Sequence, residues 1–125
     1  MALSVEVFVR EPDGEMRILD VPDDVYRSGG FESWRTTVWG SEFVRSLGVR
    51  YLPVLAEDDL VVEAGEVPEL LREVALLRGR LDEVALRTER PRTVEERRHE
   101  LDIRLRIIEE SAREALGIGG GVLIW

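Results

Sequence analysis

PELLREVALLRGRLDEVALRTERPRTVEERRHELDIRLRIIEESAREALG, residues Pro68 to Gly117, carries two helical periods in succession. Leu70, Val74, Leu77, Leu81 and Val84 recur at spacings of 4, 3, 4 and 3 residues, one apolar stripe of an amphipathic helix. Pro68 suits the first turn, where its missing N–H costs nothing. Thr93-x-x-Glu96 is a capping box that opens a second helix, in which Leu101, Leu105, Ile108, Ala112 and Ala115 repeat the same rhythm. Between them Thr88 to Arg92, with Pro91, is a short connector, so the helices should form a long antiparallel hairpin. Each is expected to run about 20 residues, roughly 30 Å. Gly117 is expected to end the second.

On the N-terminal side the period changes. Leu3, Val5, Val7 and Val9 alternate with Ser4, Glu6 and Phe8, as in a half-buried strand. Glu11-Pro12-Asp13-Gly14 makes a turn, and Met16 to Val21 reads as the return strand of a hairpin. After Pro22 an acidic loop with Asp23 and Asp24 runs to Ser28-Gly29-Gly30. Phe31, Trp34, Val38, Phe43, Val44 and Leu47 are near helical spacing. Gly40 interrupts them and Ser41 is a good N-cap, so two short helices fit as well as one, with Gly48 just past the end. Val49 to Val54 is expected to be a strand, with Pro53 at an edge or end. Asp58-Asp59 makes a turn before a short strand, Leu60 to Glu63. Val122 to Trp125 is a terminal strand added to the sheet. The predicted architecture is α+β: a small mixed or antiparallel sheet with a short helical segment, a long antiparallel helical hairpin and a C-terminal strand.

The chain has 125 residues, 17 Arg or Lys against 26 Asp or Glu, and a net charge of −9. This fits one domain over 1–125: an acidic, β-rich half (1–66), the hairpin (67–117) and the terminal strand (121–125). Residues 1–66 hold 14 acids and 6 Arg, net −8, and residues 67–125 hold 12 acids and 11 Arg, net −1. No linker composition separates the halves. An acidic chain argues against nucleic acid and anionic membranes as partners, because phosphate contacts need a positive face. The longest apolar runs reach four residues, so no membrane span or signal peptide is read, and a cytoplasmic location is expected. With no Cys there is no disulfide, thiolate metal site or cysteine nucleophile.

Catalytic and metal constellations are missing. His99-Glu100 lacks the second His that a zinc-protease helix needs four residues on, since position 103 is Ile. Glu96-x-x-His99 is half of a di-iron motif whose other half requires a second His. The glycines at 117 and 119–121 close a helix, whereas a phosphate cradle opens one. Ser28, Ser33 and Ser41 have no elbow motif around them. Glu69 and Glu73, or Glu96 and Glu100, are i,i+4 pairs of the kind a solvated helix face carries. A carboxylate acid–base pair stays open as the least favoured reading. No enzyme activity, cofactor or metal is expected.

Binding is better supported. Tyr26, Phe31, Trp34, Trp39 and Phe43 crowd into 18 residues. Most aromatics at that density are core, but one or two could be interface anchors. Asp23, Asp24, Glu57, Asp58 and Asp59 lie in two turns of the same acidic half and could steer a basic partner. The candidate contact residues are therefore Asp23, Asp24, Tyr26, Trp34, Trp39, Glu57, Asp58 and Asp59. A homodimer is the second arrangement the pattern allows, because Leu71, Ala75, Leu76, Leu86, Ile103 and Ile107 lie off the main stripes.

Phe31-Glu-Ser-Trp34, Trp39-Gly40, Leu52-Pro53-Val54, Asp59-Leu60-Val61-Val62-Glu63 and the closing Gly119-Gly120-Gly121-Val122-Leu-Ile-Trp125 resemble small actinobacterial immunity-like proteins of polymorphic toxin systems. The resemblance spans residues 30–77 and 105–125 and is most specific in the closing motif. It implies a stoichiometric binding protein that neutralises a toxin made by the same cell, with a basic toxin domain as partner. No functional residue is carried over by it.

Overall fold

The computed structural model describes residues 2–20, 27–88 and 93–125. The alternation at the N-terminus becomes strand β1, Ala2–Arg10, with Leu3, Val5 and Val7 on the buried face. Met16–Ile18 forms β2, antiparallel to β1 with Phe8 opposite Ile18. The hairpin forms as expected, but β2 is shorter than the predicted Met16 to Val21, and Val21 lies outside the described residues.

Ser28–Phe31, expected to close a loop, is strand β3, paired with the first half of β1. Val5 donates its N–H to Arg27 O and Leu19 donates to Val7 O, so β2 and β3 lie along the same edge of β1. Glycine permits this strand. Gly30 has φ +113, and a Cβ there would come within 2.4 Å of the Trp34 ring.

Two short helical segments follow, a π-helical turn at Arg35–Trp39 and α1 at Glu42–Ser46. Ser41 is the N-cap of α1: its hydroxyl accepts from Val44 N. Gly48, at φ +83, takes the left-handed position after the helix. The strand expected over Val49 to Val54 is not formed. Leu52–Ala56 is a 3-10 turn with Pro53 in its first positions. The backbone N–H groups of Arg50, Tyr51 and Leu52 donate to the Glu73 carboxylate at 2.7, 2.9 and 2.8 Å, so this segment finds its acceptors without a neighbouring strand.

Leu60–Val62 is β4, and Gly121–Ile124 is β5. Every pairing is antiparallel, in the order β2-β1-β5-β4 with β3 also on β1. The terminal strand therefore lies inside the sheet. Its entry needs glycine: a Cβ on Gly121 would meet Val62 O at 2.3 Å and the Phe8 ring at 2.5 Å.

The first helix of the predicted hairpin is two helices, α2 at Val67–Gly79 and α3 at Leu81–Arg87. Arg80 leaves helical geometry at φ −122, ψ 28, next to a glycine that stabilises a helix poorly. Leu77, Leu81 and Val84 stay buried across the break, which is why the periodicity passes through it. Helix α4, Val94–Ile118, is 25 residues long, capped by Thr93 accepting from Glu96 N. It continues past Gly117, and Gly119, left-handed at φ 69, ends it. Most of the expected connector, residues 89–92, lies outside the described residues.

Helix α4 packs on β1, β3 and β5 and against α2 and α3. Arg78 clasps α2 to α4, with Nη1 at 2.5 Å from Glu109 and Nε at 3.5 Å from Asp102. One cluster of buried side chains runs from Leu3, Val5 and Val7 through Leu52 and Leu55 to Leu70, Leu77, Leu105 and Ile108. The chain is α+β, with helices on one face of the sheet.

Candidate partner-binding surface

Of the eight candidate contact residues, Asp23, Asp24 and Tyr26 lie outside the described residues. Trp34 and Trp39 are core: 3% and 0% exposed, with ring centroids 5.7 Å apart, edge to face. Trp39 Nε1 donates to Gly29 O at 2.8 Å. Their expected role as contact residues is corrected on that ground, because neither ring reaches the surface.

Glu57, Asp58 and Asp59 are exposed and form one corner between the 3-10 turn and β4. Arg35 holds the corner from beneath. Its Nη1 donates to Leu55 O and Asp58 O, its Nη2 to Asp59 Oδ1 at 2.8 Å, and its Nε to Glu32. Partial burial works against the charge of this guanidinium, but the hydrogen bonds to Asp59 and Glu32 outweigh it and raise its pKa. Asp58 Oδ1 accepts from Asp59 N, and the N–H groups of Glu57 and Asp58 donate to Val54 O. The backbone under these acids is thus fixed. Glu57 and Asp58 make no ion pair among the described residues.

The exposed tryptophan is Trp125, which the density of aromatics around position 34 did not single out. Its indole is 51% exposed, and Nε1 donates to Glu6 Oε2 at 2.8 Å. Mutual backbone hydrogen bonds set Trp125 opposite Ser4. The strand period sets Ser4 and Glu6 on the face away from Leu3, Val5 and Val7, but only the pairing of β5 with β1, which no local pattern encodes, sets Trp125 there with them.

The helical carboxylates differ from the expected solvated pairs in one case. Glu69 is exposed beside Arg72, but Glu73 is buried and both its oxygens are taken by backbone N–H groups. A carboxylate accepting three backbone N–H groups is held in place by the segment it anchors. Its work is structural. His99 is exposed on α4, and no group of three His, Asp or Glu among the described residues could hold a metal ion. No helix among them is long and apolar enough to cross a membrane.

These features define an acidic α+β protein with a helix-backed sheet, a fixed acidic corner and an exposed tryptophan. Compared with known proteins, no family model, curated protein or solved structure matches the chain.

Proposed function

We propose that the chain is a non-enzymatic protein-binding module, an immunity-like protein that neutralises a toxin domain by covering its basic surface. The observation that carries this reading is the exposed Glu57-Asp58-Asp59 corner, set by Arg35 on a chain of net charge −9. Ordered carboxylates speed the encounter with a basic partner and fix its orientation at little further entropic cost. The closing Gly-Gly-Gly-Val-Leu-Ile-Trp motif supports the same reading by its resemblance. A protein acting this way would meet its toxin in the cytoplasm of the producing cell.

Affinity capture from native cytosol with the tagged protein, read by mass spectrometry, tests it. One stoichiometric partner with a basic domain is the expected result. Recovery of the protein alone would transfer the reading to a self-associating module. Leu76 and Leu86, 39% and 56% exposed on α2 and α3, favour that second reading, and light scattering at high concentration decides it.

A further inference from the structure

The sheet has a second face. Cross-strand partners share a face, so the register places Glu6, Leu123 and Val61 in one row across β1, β5 and β4. Phe8 and Ile18 stand together in the next row toward the hairpin, and Ser4 and Trp125 in the row on the other side. The helices cover the opposite face, where Val5, Val7, Val62, Val122 and Ile124 are at most 1% exposed. On this one Phe8 and Leu123 are covered, 1% and 9% exposed, whereas Ile18, Val61 and Trp125 are 38%, 40% and 51% exposed.

We infer that the exposed end of this face, around Trp125 and Glu6, is the surface that receives the partner, and that its occupant is a basic, apolar protein segment. The inference rests on the protein-binding reading and adds the place and chemistry of contact. Charge complementarity selects the occupant. Glu6 has no cation beside it among the described residues, and its one hydrogen bond is from the Trp125 indole. Arg10, the guanidinium on the same face, is held by Glu63 in a bidentate pair at 3.1 and 2.6 Å and has no charge to spare. The acidic corner ends at Asp59, one residue before β4 and one step beyond the Leu60–Ile124 pair, at the Trp125 end of the sheet.

An arginine or lysine arriving here meets a carboxylate and an indole face together, and both favour a cation. The bond to Glu6 fixes the indole before binding, so little side-chain freedom is lost on contact. Val61, 40% exposed in the neighbouring row, supplies apolar area beside it. An acidic segment would instead bring its charge against Glu6.

The test is a titration with a short capped peptide alternating Arg and Leu, and with its Glu-for-Arg counterpart, followed by the indole N–H resonances of Trp34, Trp39 and Trp125. The basic peptide should move the Trp125 resonance saturably and leave the other two in place. Trp125→Ala, which loses the reporting indole and is therefore compared with wild type by titration calorimetry, should weaken binding by about tenfold. Glu6→Gln, which keeps an acceptor for the indole and removes the charge, should weaken it severalfold. Equal binding by wild type and both variants would overturn the placement and leave the protein-binding reading standing. Equal affinity for the acidic peptide, or no saturable binding of either, would overturn it as well. A failed capture experiment strikes the protein-binding reading itself and is a separate result.

Discussion

The two faces of the sheet are built from the same strands and differ in how far they are covered. Val5, Val7, Val122 and Ile124 point into the helices and are sealed. Glu6, Leu123 and Trp125, one residue along, lie on the other face, where the tryptophan is half exposed and Leu123 stays covered. The tryptophans divide the same way. Trp39 is enclosed and bonded to a backbone carbonyl, whereas Trp125 lies on the surface and is bonded to a carboxylate. Trp39 ends a helical turn packed in the core and Trp125 follows β5 at the surface, so exposure follows the element that carries each ring and not the density of aromatic residues along the chain.

That contrast can be broken by substitution. Trp39→Ala should cost about 3–5 kcal/mol in urea unfolding, because it empties a closed part of the core. Glu73→Leu should cost about 2–4 kcal/mol, since it strands the N–H donors of residues 50–52, two of them buried. Amide exchange should then accelerate at those three residues ahead of the sheet. Gly121→Ala should cost about 1–3 kcal/mol by forcing β5 away from Val62 O and the Phe8 ring.

A smaller effect appears in acid. The hydrogen bond from Arg113 holds the Glu109 carboxyl below its usual range, against partial burial and with help from Arg78. A depressed folded-state pKa gives stability that is fully present above the unfolded value, about 4.3, and is lost as pH falls through the folded one. Glu109→Gln should flatten that part of the stability–pH curve and leave the slope near neutral pH unchanged. The smallest effect belongs to the outer face: Trp125→Ala should cost about 1 kcal/mol or less, as one exposed hydrogen bond and partial burial are lost. A loss as large as that of Trp39→Ala would erase the distinction between the faces.

Much of this fold could be read from residues close together in sequence. The alternation at Leu3 to Val9, the Ser41 and Thr93 caps and the stripe in α4 each act within a turn or two of the chain. The misread parts depend on distant partners. Val49 to Val54 has strand-like residues, but Glu73 on α2 supplies the acceptors that a neighbouring strand would have given. The break at Arg80 is invisible to periodicity because Leu77 and Leu81 remain on the buried side through it. Of the candidate site, the acidic corner was legible from composition. Trp125 was not, because its exposure follows from β5 lying between β1 and β4, an order that no local pattern encodes.

The most direct measurement is the affinity of the captured partner domain for wild type and Trp125→Ala side by side, by titration calorimetry with unfolding midpoints as the fold control. The account predicts affinity lower by about tenfold or more in the variant, with the midpoint nearly unchanged. Unchanged affinity in a folded variant would contradict it and move the contact off the open face of the sheet.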